Sequence, residues 1–319
     1  ILITPSNNIV TFGNDFTISF NTKLKEGKIK QIDLIIDNQL IISTKELIFS
    51  KKFNSKDFLP GKHSIKIIAT KTDGVSAVSF SSIAILSDII PENLNYKIIN
   101  TYSHNASYFT EGFEFYKGLL YEGTGEYGTS IIVSYNPKNE KIASSLKIAN
   151  QYFGEGITIL NDKIYQLTYK TKVGFIYNVT NFEKEGEFTF ASEEGWGLTN
   201  DGKYLIMSDG TSKISFINPI DFKIVKSIEV CDNKAILNYI NELEYVNGSI
   251  YANILGRNTI VKFDATTGKV QSYINMEGLL SSLNSSSVDV FNGIAYNQSE
   301  NSFYVTGKYW PKMYSVRFE

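Results

Sequence analysis

The sequence predicts an all-β protein, a five-bladed β-propeller preceded by a small β-sandwich, and three observations carry that prediction. The first is a short pattern that returns along the chain: Phe109-Thr110-Glu111-Gly112, Phe153-Gly154-Glu155-Gly156, Gly195-Trp196-Gly197-Leu198, Ile240-Asn241-Glu242-Leu243 and Phe291-Asn292-Gly293-Ile294. The key positions Glu111, Glu155, Trp196, Asn241 and Asn292 lie 44, 41, 45 and 51 residues apart, in or close to the range of blade-sized repeats. The second is that each repeat runs on as an apolar strand, a polar turn and another apolar strand, as at 157–160, Asn161-Asp162 and 163–168. The third is composition, since 13% aromatic residues, with 20 Tyr and 21 Phe, suit pleated, half-buried surfaces.

Residues 1–87 lack the repeat. Segments 15–21, 30–37, 39–43, 62–70 and 75–86 read as short alternating strands at the spacing of a β-sandwich. The stretch Leu59-Pro60-Gly61-Lys62-His63-Ser64-Ile65, followed by Asp73-Gly74, resembles the penultimate strand and turn of immunoglobulin-like modules. This part holds 11 Lys against 7 acids, read as a solvated face. Residues 88–95, with Pro91, are read as a linker, and 96–319 as the propeller. Its first strand, 96–102, is expected to complete the last blade and so remove the open sheet edges.

Within each repeat the hairpin turns are marked by Asn161-Asp162, Asn200-Asp201-Gly202 and Asn247-Gly248. Such pairs are favoured where both central residues need positive φ. Two more strands complete each unit, such as 213–216 and 223–229 joined through Asn218-Pro219. Because the first strand of each blade lines the central channel, the five key residues are expected in one ring. Two acids, an indole and two amides converging there are poorly explained by packing, because buried carboxylates without partners are costly.

Composition excludes several classes. A balance of 31 basic and 33 acidic side chains gives −2, with no basic field for nucleic acid. Cys231 is the sole cysteine, so no internal disulfide framework exists. No apolar run approaches a membrane span. No signal segment is visible in a chain that begins at Ile1. With His63 and His104 alone, no His-rich zinc site is available. Five glycosylation sequons, at Asn105, Asn178, Asn247, Asn284 and Asn297, carry little weight in an Asn- and Ser-rich chain, and the 281–287 run reads as a loop.

Nine motifs in order, spread over all five repeats, resemble the plant-type and bacterial glutaminyl cyclases. They include Phe109-Thr110-Glu111-Gly112, Tyr121-Glu122-Gly123-Thr124-Gly125, Phe153-Gly154-Glu155-Gly156, Gln166-Leu167-Thr168, Gly195-Trp196-Gly197, Asn241-Glu242-Leu243-Glu244, Asn292-Gly293-Ile294 and Thr306-Gly307-Lys308-Tyr309-Trp310-Pro311. The resemblance implies a glutaminyl-peptide cyclotransferase, in which an N-terminal glutamine closes on its own side chain to pyroglutamate and ammonia leaves. It implies Glu155 as proton shuttle, and Glu111 as a second carboxylate that binds the substrate amine or tunes Glu155. It implies Trp196, Asn241, Asn292 and Lys308 as substrate-binding residues, with Phe109, Gln166 and Tyr169 shaping the pocket. Tyr169 and Leu255 stand where the family often carries tryptophan, which thins the aromatic cage.

The family further implies a structural calcium held largely by backbone carbonyls, with Glu122, Glu242 and Glu244 as candidate ligands or else as channel ion-pair partners, and no zinc. The expected substrates are peptides or proteins beginning with glutamine, acted on by a monomer exported from a bacterial cell into an extracytoplasmic, periplasmic or secreted setting. Two other classes fit the ring of polar groups: a non-catalytic binding or adhesion platform, and a glycoside hydrolase using the channel carboxylates.

Overall fold

The computed structural model describes residues 1–283 and 288–319, so the Asn284 sequon and the later part of the 281–287 stretch lie outside the described residues. The earlier part of that stretch is not all loop, because Ser281 ends a short helix, Glu277–Ser281. The chain forms two compact units, 1–90 with 231–236, and 91–230 with 237–319. No described helix is long and apolar enough to cross a membrane.

The first unit is two sheets around one core. A three-stranded sheet places Asp15–Asn21 between Leu2–Thr4 and Ile48–Asn54, and a five-stranded sheet is centred on Gly61–Lys71. Alternation explains the core: Phe16, Ile18 and Phe20 on one strand and Ile32, Leu34 and Ile36 on another all point inward. Residues 231–236 join this unit, closed by a Cys231–Ile236 bridge and the Ser87 N–H donating to the Asp232 carbonyl at 3.0 Å.

The second unit is propeller-like. Five antiparallel sheets follow one another, each beginning with an inner strand: Thr110–Tyr116, Gly154–Leu160, Leu198–Asn200, Ile240–Val246 and Phe291–Asn297. Consecutive inner strands adjoin, and the first also adjoins the fifth, which closes the ring. Tyr96–Ser103 pairs with Lys312–Phe318 as the outermost strand of the fifth sheet, as its sequence position predicts. Glu92–Leu94, inside the stretch read as a linker, instead adds as a parallel fifth strand to Val270–Asn275. The tight turns follow local chemistry, with Asn161 and Asp162 at φ 54° and 59°, and Asn247-Gly248 at 49° and 85°. A separate apolar cluster fills each gap between neighbouring sheets, including the gap from fifth to first.

Inner strands expose an unpaired edge toward the axis, and side chains satisfy it. Glu242 accepts the Phe113 and Ile294 N–H groups at 3.2 and 2.8 Å, bridging the first and fifth inner strands. Glu114 accepts from Ile159 at 2.9 Å, Glu244 from Tyr296 at 2.8 Å, Thr199 from Tyr245 at 3.1 Å and Asn253 from Gly293 at 2.9 Å. The strands approach so closely that a Cβ on Gly156 would lie 2.5 Å from the Leu198 nitrogen, and one on Gly197 2.0 Å from the Asn241 carbonyl oxygen. Burial leaves these carboxylates reluctant to ionise: Glu114 is pushed up to about 7, and Glu242 and Glu244 are raised well above the carboxylate range.

Replacing Glu242 with Ala orphans two buried N–H groups, each costing about 1–3 kcal/mol. A lowered guanidinium midpoint is the expected outcome, and an unchanged midpoint would show that the ring does not depend on this bridge.

Candidate active site

The site sits where the inner strands begin. Each of the first two repeats delivers a phenylalanine and, two residues later, a glutamate: Phe109 with Glu111, and Phe153 with Glu155. Both phenylalanines stand just before their inner strands, Thr110–Tyr116 and Gly154–Leu160, and each acid falls where the register with the next strand shifts, so both repeats bring one aromatic and one acid to the same site. Trp196 and Asn241 come from the entries to the third and fourth inner strands, and Lys308 from the turn after Ser302–Gly307.

Together with Tyr169 and Leu255 these residues line a cavity of about 190 Å³. Phe109 and Phe153 meet edge-to-face at 5.9 Å, Phe153 and Tyr169 lie 5.7 Å apart, and the Lys308 ammonium sits 4.3 Å from the Phe109 ring centroid. The Trp196 indole N–H donates to Glu194 at 3.0 Å, while Lys170 pairs with Glu194 and lies over the Tyr169 ring at 4.6 Å. Lys170, itself largely exposed, therefore links the Tyr169 and Trp196 walls of the cavity through Glu194.

The acids are unlike one another. Lys308 Nζ donates to Glu111 Oε1 at 2.6 Å, and Asn292 Nδ2 donates to Glu111 Oε2 at 3.1 Å. Burial nevertheless outweighs Lys308 and lifts Glu111 to about 7, helped by the charges of Glu126 and Asp289. Glu155 is 5% exposed and takes no hydrogen bond among the described residues. Its affinity for a proton rises well above the usual carboxylate value, first through burial and then through the Glu111 charge, with Lys308 opposing. The Asn241 side-chain oxygen is buried without a hydrogen-bond partner among the described residues. The cavity thus holds a strong carboxylate base, a buried cation and an amide with spare hydrogen-bonding capacity.

Two expected pocket residues do not reach the cavity. Gln166 lies on the second strand of its sheet, fully buried behind Gly154, where Tyr177 donates to it at 3.4 Å. Asn292 is buried behind Glu111, and its amide also donates to the Thr110 carbonyl at 2.9 Å. Phe153 was the missed wall residue; the internal repeat could have found it, because it stands to Glu155 as Phe109 stands to Glu111.

Metal candidates fare differently. No group of three or more His, Cys, Asp or Glu among the described residues is arranged to hold an ion. Glu122 is committed to His104 at 3.0 Å, Thr110 at 2.6 Å and Tyr135 at 2.8 Å, and Glu242 has both oxygens on peptide N–H groups. These carboxylates are a poor fit for a calcium cage.

A curated relative from Arabidopsis thaliana, "Glutaminyl-peptide cyclotransferase", is 34% identical over 228 residues, covering 70% of this chain and 71% of the relative. Among solved structures, the Myxococcus xanthus glutaminyl cyclase matches with a TM-score of 0.68 and 29% identity, over 72% of this chain and 99% of that one. The family model described as glutamine cyclotransferase matches residues 72–318, and the chain belongs to that family.

Proposed function

We propose that this protein is a glutaminyl-peptide cyclotransferase that converts the N-terminal glutamine of peptides and proteins to pyroglutamate, with Glu155 as the proton shuttle. The observation that carries the reading is Glu155 itself, a buried carboxylate without a hydrogen bond among the described residues, facing a cavity sized for one side chain beside the Glu111–Lys308 pair. The α-amine nitrogen attacks the glutamine Cδ, and Glu155 takes the proton that the amine gives up. Lys308 and Asn241 donate to the carbonyl oxygen as it gains negative charge. Glu155 then passes its proton to the departing NH₂ group, ammonia leaves, and the five-membered lactam remains.

Each feature of the site serves this sequence. A carboxylate whose proton affinity is raised accepts a proton from an amine more readily than an ordinary one. The walls of Phe109, Phe153, Tyr169 and Trp196 hold the glutamine folded, so that attack is effectively unimolecular. Glu111 neutralises Lys308 and draws the substrate amine. A glycosidase would need an open groove and two uncommitted acids, whereas this cavity is small and Glu111 is bound to Lys308. An adhesion platform would have no need of an unpartnered buried base.

The five sheets of the second unit support a five-bladed propeller as the catalytic domain, from about residue 96 to 319, and the two sheets of the first unit, which lie within residues 1–87, support an immunoglobulin-like module. The protein acts as an extracytoplasmic monomer. The structural calcium expected from the resemblance would draw on backbone carbonyls, because Glu122 and Glu242 are committed to hydrogen bonds through both oxygens, and the reaction steps above use the chain's own side chains.

Glu155→Gln keeps the shape and removes the base, so ammonia release from a glutamine-initiated peptide should fall by about 10²–10⁴-fold; near-normal turnover would defeat the shuttle. Glu155 acts as its carboxylate, so kcat/KM should fall as pH drops through its raised pKa. Glu111→Gln removes the neighbouring charge that raises Glu155, and the acid limb of the pH profile should move to lower pH. An unmoved limb would uncouple the two acids. Leu255→Trp rebuilds the thinned wall, and KM for glutamine peptides should drop, whereas a higher KM would mean that the pocket is already full.

A further inference from the structure

We propose that His104 is a positioning residue for this reaction, holding Lys308 and Glu111 in register from behind the site through a buried ion pair with Glu122. His104 follows the strand Tyr96–Ser103, and its side chain, like that of Glu122, has no exposed surface. Its Nδ1 lies 2.6 Å from the Trp310 carbonyl oxygen, and its Nε2 lies 3.0 and 3.2 Å from the two Glu122 oxygens. A carbonyl can only accept, and so can an ionised carboxylate, so both ring nitrogens donate and the ring is an imidazolium. Thr110 and Tyr135 hydroxyls donate to the same carboxylate at 2.6 and 2.8 Å, one to each oxygen, so it faces His104 as an acceptor.

The pair grips both halves of the catalytic ion pair. On one side, His104 holds the 308–311 turn at two points, Nδ1 on the Trp310 carbonyl and its backbone N–H on the Pro311 carbonyl at 3.0 Å. Lys308 stands two residues before the first of these. On the other side, Glu122 holds the Thr110 hydroxyl, and Thr110 precedes Glu111 in the chain. The 2.6 Å contact between Lys308 and Glu111 therefore depends on two backbone segments fixed by one buried pair. Neither His104 nor Glu122 lines the cavity.

The groups facing His104 are Glu122, the Trp310 carbonyl and the edge of Tyr108 at 5.9 Å, with Tyr135 beyond Glu122 and Glu140 on the wall of the adjoining pocket. Burial works against the charged ring, but Glu122 prevails and raises its pKa above the ordinary histidine value. A raised histidine pKa means that the imidazolium grip is complete below about 6.5 and is lost as pH climbs through the higher folded value.

The inference rests on the assignment of Lys308 and Glu111 to the site, so the test includes Lys308→Met. With two histidines in the chain, nitrogen-15 NMR of labelled wild-type protein resolves their protonation, and His63→Asn identifies the His104 signals. At pH 7 both His104 nitrogens should be protonated, and their titration should coincide with an alkaline fall in kcat/KM. In His104→Gln, which can donate at one end only, kcat should drop by about 10²-fold, as expected for a misplaced catalytic group, with KM changing less and that alkaline limb lost. A His104→Gln enzyme with wild-type kcat and pH profile, alongside an impaired Lys308→Met, would overturn the proposal. Should His104→Gln fail to fold, the wild-type titration decides: a neutral His104 at pH 7, or one that titrates apart from the alkaline limb, overturns it, and coincidence upholds it.

Discussion

Five strands meeting around one axis leave little room and many unpaired peptide groups, and most of the second unit can be understood from how that crowding is resolved. At the residue after the key position four repeats carry glycine, Gly112, Gly156, Gly197 and Gly293, and the fourth carries Glu242. Glycine lets neighbouring backbones touch, since a Cβ on Gly112 would lie 2.4 Å from the Ile157 nitrogen. Glu242 does the opposite, sending a carboxylate across to two other strands. The ring is therefore asymmetric, closed on one side by backbone contact and on the other by an acid.

The same crowding produces the chemistry. Glu111 and Glu155 sit beside the tight glycines at buried positions, so their proton affinities rise without any dedicated device. Lys308 keeps the two acids unlike: it holds Glu111 at 2.6 Å, while Glu155 takes no hydrogen bond among the described residues and is left open to the role proposed for it. A buried lysine with one carboxylate partner and an aromatic face beneath it is well placed to meet charge that develops only during reaction.

Support extends outward in layers. Asn292 and the Glu122–His104 pair stand behind Glu111 and Lys308, and the Glu194–Lys170 pair stands outside Trp196 and Tyr169. The inner layer is fully buried and hydrogen-bonded at every contact named, whereas Glu194 and Lys170 are partly exposed. Surface pairs of that kind contribute about 0–1 kcal/mol, so they serve more to orient rings than to stabilise the fold.

The sequence alone determined the strand-and-turn rhythm, the five key positions, the closing role of residues 96–102 and most of the cavity wall. Apart from the closing strand, which pairs with the far end of the chain, these are local: Asn-Gly and Asn-Asp set a turn, and a repeated motif returns to the same place in each sheet. Only the tertiary structure decided what lay behind that wall. Gln166 and Asn292 were on the right motifs but one layer too deep, because a motif gives strand and face without saying which neighbour occludes the side chain. His104, an ordinary loop residue by sequence, became a buried cation because Glu122 and the Trp310 carbonyl converge on it across 18 and 206 residues of chain. Likewise residues 231–236 joined the first unit and Glu92–Leu94 joined a sheet of the second. Such pairings are chosen by which backbone groups still lack partners once the strands have met, and that is a property of the folded chain rather than of any stretch of it.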